Sequence, residues 1–196
     1  MKIGVDVNQL AGSHGASNHA NHKRLLGEGH GLTPLPLSFG DYIQITPEIE
    51  AAIEEHGDKL AKKDLVGLIK VSVDRKNSID EICGNICGAQ HERFRNELLR
   101  AQESGARLYI LIENDEGIKD LDGIKRWSNP RLHRYNKIAY MHRVGKWLST
   151  PLPPKPPTSN MTLYKAMYTM SKKYGCVWMF CSPGDAARRI VELLNS

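Results

Sequence analysis

The sequence lacks the features by which membrane-spanning and secreted proteins are recognised. No apolar run reaches the roughly 18 to 20 residues of a membrane-spanning helix. The apolar start of the chain is interrupted at Asp6, too early for the apolar core of a signal peptide. These absences predict an intracellular, cytoplasmic protein.

Cysteine is scarce, and its spacing lacks the CxxC pairs of a strong zinc-binding pattern. Of the 4 cysteines, Cys83 and Cys87 stand four apart in a predicted helix, and Cys176 and Cys181 flank the apolar run VWMF. In an intracellular protein they are expected to be reduced thiols. A four-thiolate zinc site is one interpretation. Burial of the thiols as small apolar side chains is the other.

Acidic residues are absent from a long segment in the second half of the chain. No Asp or Glu occurs between Asp122 and Asp185. The whole chain has 27 basic and 22 acidic residues, and 11 of the basic ones lie in this interval, so the remainder has 16 basic against 22 acidic residues. A segment of one charge repels itself unless it meets a polyanion, of which a nucleic-acid backbone is the usual one. The residues that we expect to contact nucleic acid are Lys125, Arg126, Arg131, Arg134, Lys137, Arg143 and Lys146.

Aromatic residues are interleaved with these bases. Trp127, Tyr135, Tyr140 and Trp147 precede the proline-rich stretch TPLPPKPPTSN. Aromatic rings between cations could stack on nucleic-acid bases. They could equally form the apolar stripe of a small helical subunit with solvated lysines, and the two interpretations are compatible.

The chain length fits one compact domain, because domains commonly have about 100 to 200 residues. The chain has 196 residues. Strands are predicted for KIGVDV, for residues 32–45, for a stretch ending near Lys76, for RLYILIEN and for residues 176–181. A helix between the third and fourth of these makes a parallel βαβ unit. The pattern predicts an α/β fold with a sheet of about five strands flanked by helices.

The stretch VGLIKVSVDRKNSID (66–80) carries the pattern most typical of a reactive centre. Val71 and Val73 alternate with polar residues, so a strand here places Asp74 and Lys76 together on its other face. Such a pair suits metal-assisted phosphodiester hydrolysis, in which the carboxylate holds a divalent cation and the lysine orients or deprotonates the attacking water. The alternative is a surface salt bridge on an edge strand, since short motifs match by chance.

Two further acids extend this pair to a rarer combination. Asp41 follows Gly40 at the end of one predicted strand, and Asp80 lies one turn into the helix after Lys76. The segments FGDYI and VDRKNSID resemble the GDY and ERKxxxD motifs of the XPF family of structure-specific endonucleases, within the restriction-endonuclease-like superfamily. The segment HERFRNELLRAQESGARLYILIEN and the closing helix-strand-helix pattern are similar to that family as well.

The resemblance spans most of the chain. It implies a single nuclease domain over residues 1–196 with a restriction-endonuclease-like fold, that is, a central mixed sheet flanked by helices. Residues 47–63 and 117–160 are interpreted as insertions in it. This single-domain form is found in phages and mobile elements, so the cytoplasm is that of the host if a phage encodes the protein.

The resemblance also implies roles for individual residues. Asp41 and Asp74 are expected to bind Mg²⁺ or Mn²⁺, ions that prefer oxygen ligands. Arg75 belongs to the active-site signature, with its backbone carbonyl adding a ligand. Lys76 is the catalytic lysine, and Asp80 is a supporting acid at the start of the helix.

Two departures from the family pattern affect these expectations. Asp74 stands where the family usually has Glu, although the wider superfamily accepts either carboxylate. The family's N-terminal DxRE motif is here DVNQ, so Asp6 is an additional expected site residue, while Asn8 and Gln9 replace the arginine and the glutamate. Glu28 is a candidate replacement for the missing acid.

Two functions are consistent with the sequence. The first is a metal-dependent, structure-specific endonuclease that hydrolyses phosphodiester bonds in branched or flapped DNA during recombination, repair or replication. The second is a non-catalytic DNA-binding subunit with a decayed nuclease site, favoured by the altered DxRE segment and disfavoured by the four retained site residues. In both, DNA is the expected partner and no membrane is involved. A homodimer is one candidate assembly, because members of the family commonly pair through this fold.

Overall fold

A six-stranded mixed sheet forms the centre of the protein. The computed structural model describes residues 1–10, 15–146 and 151–196, without the side chains of residues 9, 10 and 15–19. The strands are β1 (Lys2–Asp6), β2 (Gly31–Leu35), β3 (Tyr42–Gln44), β4 (Val71–Lys76), β5 (Arg107–Glu113) and β6 (Val177–Cys181). Their order in the sheet is β2-β1-β3-β4-β5-β6. Strand β3 is antiparallel to both of its neighbours, and the other neighbouring pairs are parallel.

Helices cover both faces of this sheet. Within the described residues they are α1 (Val7–Leu10), α2 (Gly15–Gly27), α3 (Pro47–His56), α4 (Ile79–Cys87), α5 (His91–Glu103), α6 (Pro130–Arg143), α7 (Asn160–Tyr174) and α8 (Ala186–Leu194), with short 3-10 helices at Gly57–Lys59, Lys62–Leu65 and Leu121–Arg126. One apolar cluster joins the sheet to α3, α4, α5 and α7, and a second joins it to α2 and α8. The predicted α/β fold with a central mixed sheet flanked by helices is therefore confirmed.

The sheet has one strand more than predicted, because residues 32–45 form two strands instead of one. Strand β1 lies between β2 and β3 in the sheet, so the segment joining them passes the end of β1. Gly40 allows the chain to turn back, since its φ of 66° is a conformation that favours glycine. Pro34 lies in β2, at the edge of the sheet, where a missing N–H is tolerated.

Strand β4 lies inside the sheet, with β3 on one side and β5 on the other. Val73 packs into the cluster beneath α8, whereas Lys76 lies over the ring of Phe94 on the opposite face. The predicted alternation of the two faces is therefore confirmed. Asp74 is 1% exposed and Lys76 is 8% exposed. The alternative of a surface salt bridge on an edge strand is wrong.

None of the helices in the described ranges combines the length and the apolar content needed to cross a bilayer.

The turn at Gly40 gives a test of how tightly β3 is held against β4. A Cβ at Gly40 would lie 2.0 Å from the Ser72 hydroxyl oxygen, whereas a Cβ at Gly67, which also has a positive φ, would meet nothing within 4 Å. Gly40→Ala should lower the free energy of unfolding by about 2 to 5 kcal/mol, combining backbone strain with overpacking. Gly67→Ala should cost only about 1 to 2 kcal/mol, because only the backbone strain applies. Urea unfolding measures both values, and equal losses would contradict the close approach.

Candidate active site

Three strands bring acidic residues to a common edge of the sheet. Because β3 runs antiparallel to both β1 and β4, the last residues of β1 and β4 lie beside the start of β3. Asp6 ends β1, Asp41 directly precedes β3, and Asp74 lies near the end of β4. The Asp6 amide donates to the Asp41 carbonyl at 2.9 Å, and the Asp41 amide donates to the Val73 carbonyl at 2.8 Å. Backbone hydrogen bonds thus fix the spacing of the three carboxylates.

The side chain of Asp41 continues the pairing between β3 and β4. Its Oδ2 accepts a hydrogen bond of 2.8 Å from the backbone amide of Arg75. The carboxylate therefore satisfies a backbone donor at the point where the strand ladder ends. This bond also fixes the peptide that joins Asp74 to Arg75.

Asp74 and Lys76 form a buried ion pair at the base of a cleft. Lys76 Nζ donates to Asp74 Oδ1 at 2.8 Å, and it lies 5.5 Å from the centroid of the Phe94 ring. Asp74 Oδ2 is buried and has no hydrogen-bond partner among the described residues, and Asp6 Oδ1 is in the same state. Burying a carboxylate oxygen without a hydrogen-bond partner costs free energy of folding. These two oxygens therefore favour a further positive group next to them.

The balance of buried charge in this cluster is negative. Burial raises the pKa of Asp74, and the neighbouring carboxylates of Glu97 and Asp41 raise it further against the opposing effect of Lys76. Burial alone would lower the pKa of Lys76, but Asp74, Asp41 and Glu97 outweigh burial and raise it. The pKa of Asp74 and the pKa of Lys76 are both raised, because the three carboxylates of Asp41, Asp74 and Glu97 lie near the single amine of Lys76. Lys76 stays charged, and the acids favour uptake of a proton or a cation.

The cleft above this pair has a volume of about 320 Å³. Besides Asp6, Asp41, Asp74 and Lys76, it is lined by acidic, basic and amide side chains, among them Asn8, Lys62, Glu81, Arg93, Glu97 and Arg100. Five of the predicted site residues, these four and Arg75, therefore line one open cavity.

Arg75 reaches the site only through its backbone. Its side chain points to the other face of the sheet, where Nε forms a buried ion pair with Glu113. Asn21 on α2 donates to the same Glu113 oxygen at 3.2 Å. Arg75 thus connects β4 to β5 on the face of the sheet opposite the cleft, and its side chain does not enter the cleft.

Asp80 and Glu28 lie outside the cleft. Asp80 is the second residue of α4 and forms an ion pair of 2.6 Å with Arg131. Glu28 follows α2 and lies 3.7 Å from His30, with half of its side chain exposed. The structure therefore does not bring Asp80 or Glu28 together with the predicted site residues that line the cleft. For Gln9, the structure describes the backbone without the side chain.

Sequence analysis missed Glu97, the acid that α5 contributes to the cleft. Its Oε1 accepts a hydrogen bond of 2.8 Å from the backbone amide of Gly40, in the turn before Asp41. Arg93, Glu97 and Arg100 all line the cleft. Their spacing of four and three residues places them on one face of a helix, which is a signal that the sequence does contain.

The seven basic residues predicted to contact DNA do not line this cleft. Most lie on α6, a helix without a buried residue. Lys125 precedes α6, pairs with Asp122 at 2.7 Å and lies 4.3 Å from the centroid of the Tyr164 ring. The bases of this segment therefore lie outside the cleft at the acidic edge of the sheet.

The aromatic residues of this segment do not share one environment. Trp127 is buried in the apolar cluster, as the interpretation of an apolar stripe predicts. Tyr140 is exposed and Tyr135 is half-buried. Trp147 lies outside the described residues.

The cysteines do not form a metal site in the described part of the chain, where no group of three or more His, Cys, Asp or Glu residues is arranged to hold an ion. All four cysteines are free thiols. Cys83 and Cys176 are buried as predicted, and Cys181 is half-buried. Cys87 is exposed, so its predicted burial is wrong: it is the last residue of α4, beyond the buried stripe of that helix.

A cation at the sheet edge would therefore have few protein ligands. Asp74 Oδ2, buried without a partner, and the carboxylate of Asp41 are the oxygens that could hold it. Mg²⁺ commonly binds one or two carboxylates and completes its coordination with water and phosphate oxygens. The donor set fits such an ion.

We predict a divalent-cation site that depends on Asp74. Calorimetric titration with Mn²⁺ should show binding that Asp74→Asn removes and that Asp80→Asn, a control outside the cleft, retains. Because burial raises the pKa of Asp74, its proton competes with the cation, and affinity should fall as the pH is lowered. Equal binding by the two variants would contradict the assignment.

Comparison with known protein families finds no family model that matches the chain, and comparison with curated proteins finds no match in sequence. The resemblance to the XPF family therefore rests on the motifs in the sequence.

Proposed function

We propose that the protein is a Mg²⁺- or Mn²⁺-dependent endonuclease that hydrolyses phosphodiester bonds in DNA, with branched or flapped DNA as its substrate. The observation that carries this proposal is the buried, unpartnered oxygen of Asp74 next to the charged amine of Lys76 in an open cleft. Hydrolysis of a phosphodiester needs charge stabilisation at one phosphate, and a cation and a lysine placed side by side provide it.

Each residue of the site has a separate task in this proposal. Asp41 and Asp74 hold the cation, which when bound polarises the phosphoryl group as a Lewis acid. Lys76 orients the attacking water and offsets the negative charge that develops on the phosphorane. Because the pKa of Lys76 is raised, these two roles are favoured over deprotonation of the water.

A non-catalytic DNA-binding subunit is the second candidate. The replacement of the family's arginine by Asn8, just after β1, favours this second candidate. The Asn8 side-chain amide donates a hydrogen bond of 3.0 Å to Asp6 Oδ2, so this carboxylate oxygen already has a partner. A decayed site should bind no divalent cation, whereas the nuclease should bind one through Asp74. Metal titration therefore separates the two candidates.

The cationic surface on α6 is proposed as a region that docks DNA outside the cleft. Its exposed bases face no acidic residue of their own helix, because α6 contains none. The pair between Arg131 and Asp80 links the start of α6 to α4, the helix that follows Lys76. The homodimer, the cytoplasmic location and the single-domain organisation remain predictions.

Activity should depend on Lys76 itself. Lys76→Met should lower the cleavage rate by at least about 100-fold in Mg²⁺ or Mn²⁺ while DNA binding is retained, because the lost charge acts on the transition state. Lys70→Met, a matched change at an exposed lysine just before β4, should leave the rate unchanged. The cleavage rates of both variants are measured on flap, splayed-arm, four-way and plain duplex DNA. No cleavage by the wild type, or equal cleavage by both variants, would refute the proposal.

The docking role of α6 has its own test. Replacing Arg126, Arg131, Arg134 and Arg143 together with glutamine should flatten the salt dependence of DNA affinity, because each lost phosphate contact removes about 0.7 to 0.9 from the slope. Replacing Arg188 and Arg189 on α8, which pair with acids of their own helix region, is the control. Identical slopes for the two sets would place the DNA elsewhere.

A further inference from the structure

The charges that line the cleft come from two different sets of elements. Asp6, Asp41, Asp74 and Lys76 come from the strand ends, and two further acids, Glu81 and Glu97, come from α4 and α5. Three bases come instead from the helical side: Lys62 from a 3-10 helix, and Arg93 and Arg100 from α5. We call these three residues the basic side of the cleft.

The basic side differs from the other cations described above in lacking acidic partners. Lys125 pairs with Asp122, and Arg131 pairs with Asp80. Within the described residues, Lys62 and Arg93 have neither a hydrogen bond nor an ion pair from their side chains. Both are exposed on the surface of the cleft. Their charge is therefore available to a ligand.

Arg100 is held at the cleft by a bond that leaves most of its donors available. Its Nε donates to the carbonyl of Ser38 at 2.7 Å, in the segment that leads to Gly40. A guanidinium has five N–H donors, so the remaining ones can bind a second acceptor. A guanidinium fixed in this way is suited to the oxygens of a phosphate.

The position of these bases next to the acidic edge restricts what they can bind. Any anion, whether a carboxylate or a phosphate, is repelled by Asp41 and Asp74 unless a cation lies between, so a ligand with a single anionic group can bind only one of the two sets. A phosphodiester can meet both sets at once, with one phosphate at the cation-binding acids and its neighbours at the bases. A DNA strand offers successive phosphates as separate anionic groups, and the cleft is lined by separate acidic and basic groups.

We propose that Lys62, Arg93 and Arg100 bind the phosphates that flank the reacting one, and so hold the DNA strand along α5. This inference rests on the proposed function and names the part of the substrate that the cleft retains. Lys62 lies in residues 47–63, which we interpret as an insertion relative to the XPF family pattern. We therefore expect the contact of Lys62 with DNA to be specific to this chain. Arg100 also supports the segment before Gly40, so Lys62 and Arg93 are the residues to test.

The experiment is DNA binding in EDTA, measured by fluorescence anisotropy with a fluorescein-labelled flap duplex. The variant Lys62→Gln with Arg93→Gln is compared with Lys63→Gln with Arg95→Gln, which removes two exposed bases of the same two elements that do not line the cleft. The first pair should weaken binding about tenfold and lower the salt slope by about 1.4 to 1.8, corresponding to two phosphate contacts. The second pair should change neither quantity. Thermal unfolding checks that all variants are folded.

The outcomes separate this inference from the proposed function. If the wild type cleaves DNA in Mg²⁺ but the two double variants bind DNA equally, the inference is wrong and the nuclease proposal stands. If the wild type neither binds nor cleaves DNA, both are wrong. If only the cleft variant loses affinity, the basic side of the cleft holds the strand, whether or not the protein cleaves it.

Discussion

The excess of buried carboxylates over cations at one edge of the sheet is the constraint on which the rest of the structure depends. Taking an ionised group out of water costs several kcal/mol unless partners replace its hydration. Lys76 supplies one bond to Asp74, and the amide of Arg75 supplies one to Asp41. Within the part of the chain that the structure describes, one buried oxygen of Asp74 is left without a partner. Under the proposed function, a cation at this oxygen completes the site.

Strand β4 keeps this site rigid because its successive side chains are anchored on opposite faces. Asp74 and Lys76 point into the cleft, and Arg75 between them is tied to Glu113 on the far side. Asn21 connects the same Glu113 to α2. Groups held in this way lose little freedom when a ligand binds, as preorganised sites require. The ion pair behind the sheet thus belongs to the same arrangement as the cleft in front of it.

Local periodicity was sufficient to predict part of this arrangement. Alternation along β4 predicts the shared face of Asp74 and Lys76, because the side-chain period of a strand is two. The periodicity of residues 32–45 did not show that they form two strands, and the turn between these strands is held by a hydrogen bond from Gly40 to Glu97, 57 residues away. Asp80 stands at the expected spacing, but Arg131 binds it outside the cleft. Tertiary contacts between distant residues decide such cases, and the sequence pattern does not encode them.

The account as a whole requires a divalent cation at the acidic edge of the sheet. The most direct measurement is anomalous X-ray diffraction from crystals of the protein soaked in Mn²⁺. We predict an anomalous peak about 2.0 to 2.3 Å from Asp74 Oδ2, within reach of the Asp41 carboxylate. A soaked crystal with no peak at this position, or with Mn²⁺ bound only elsewhere on the protein, would contradict the central claim.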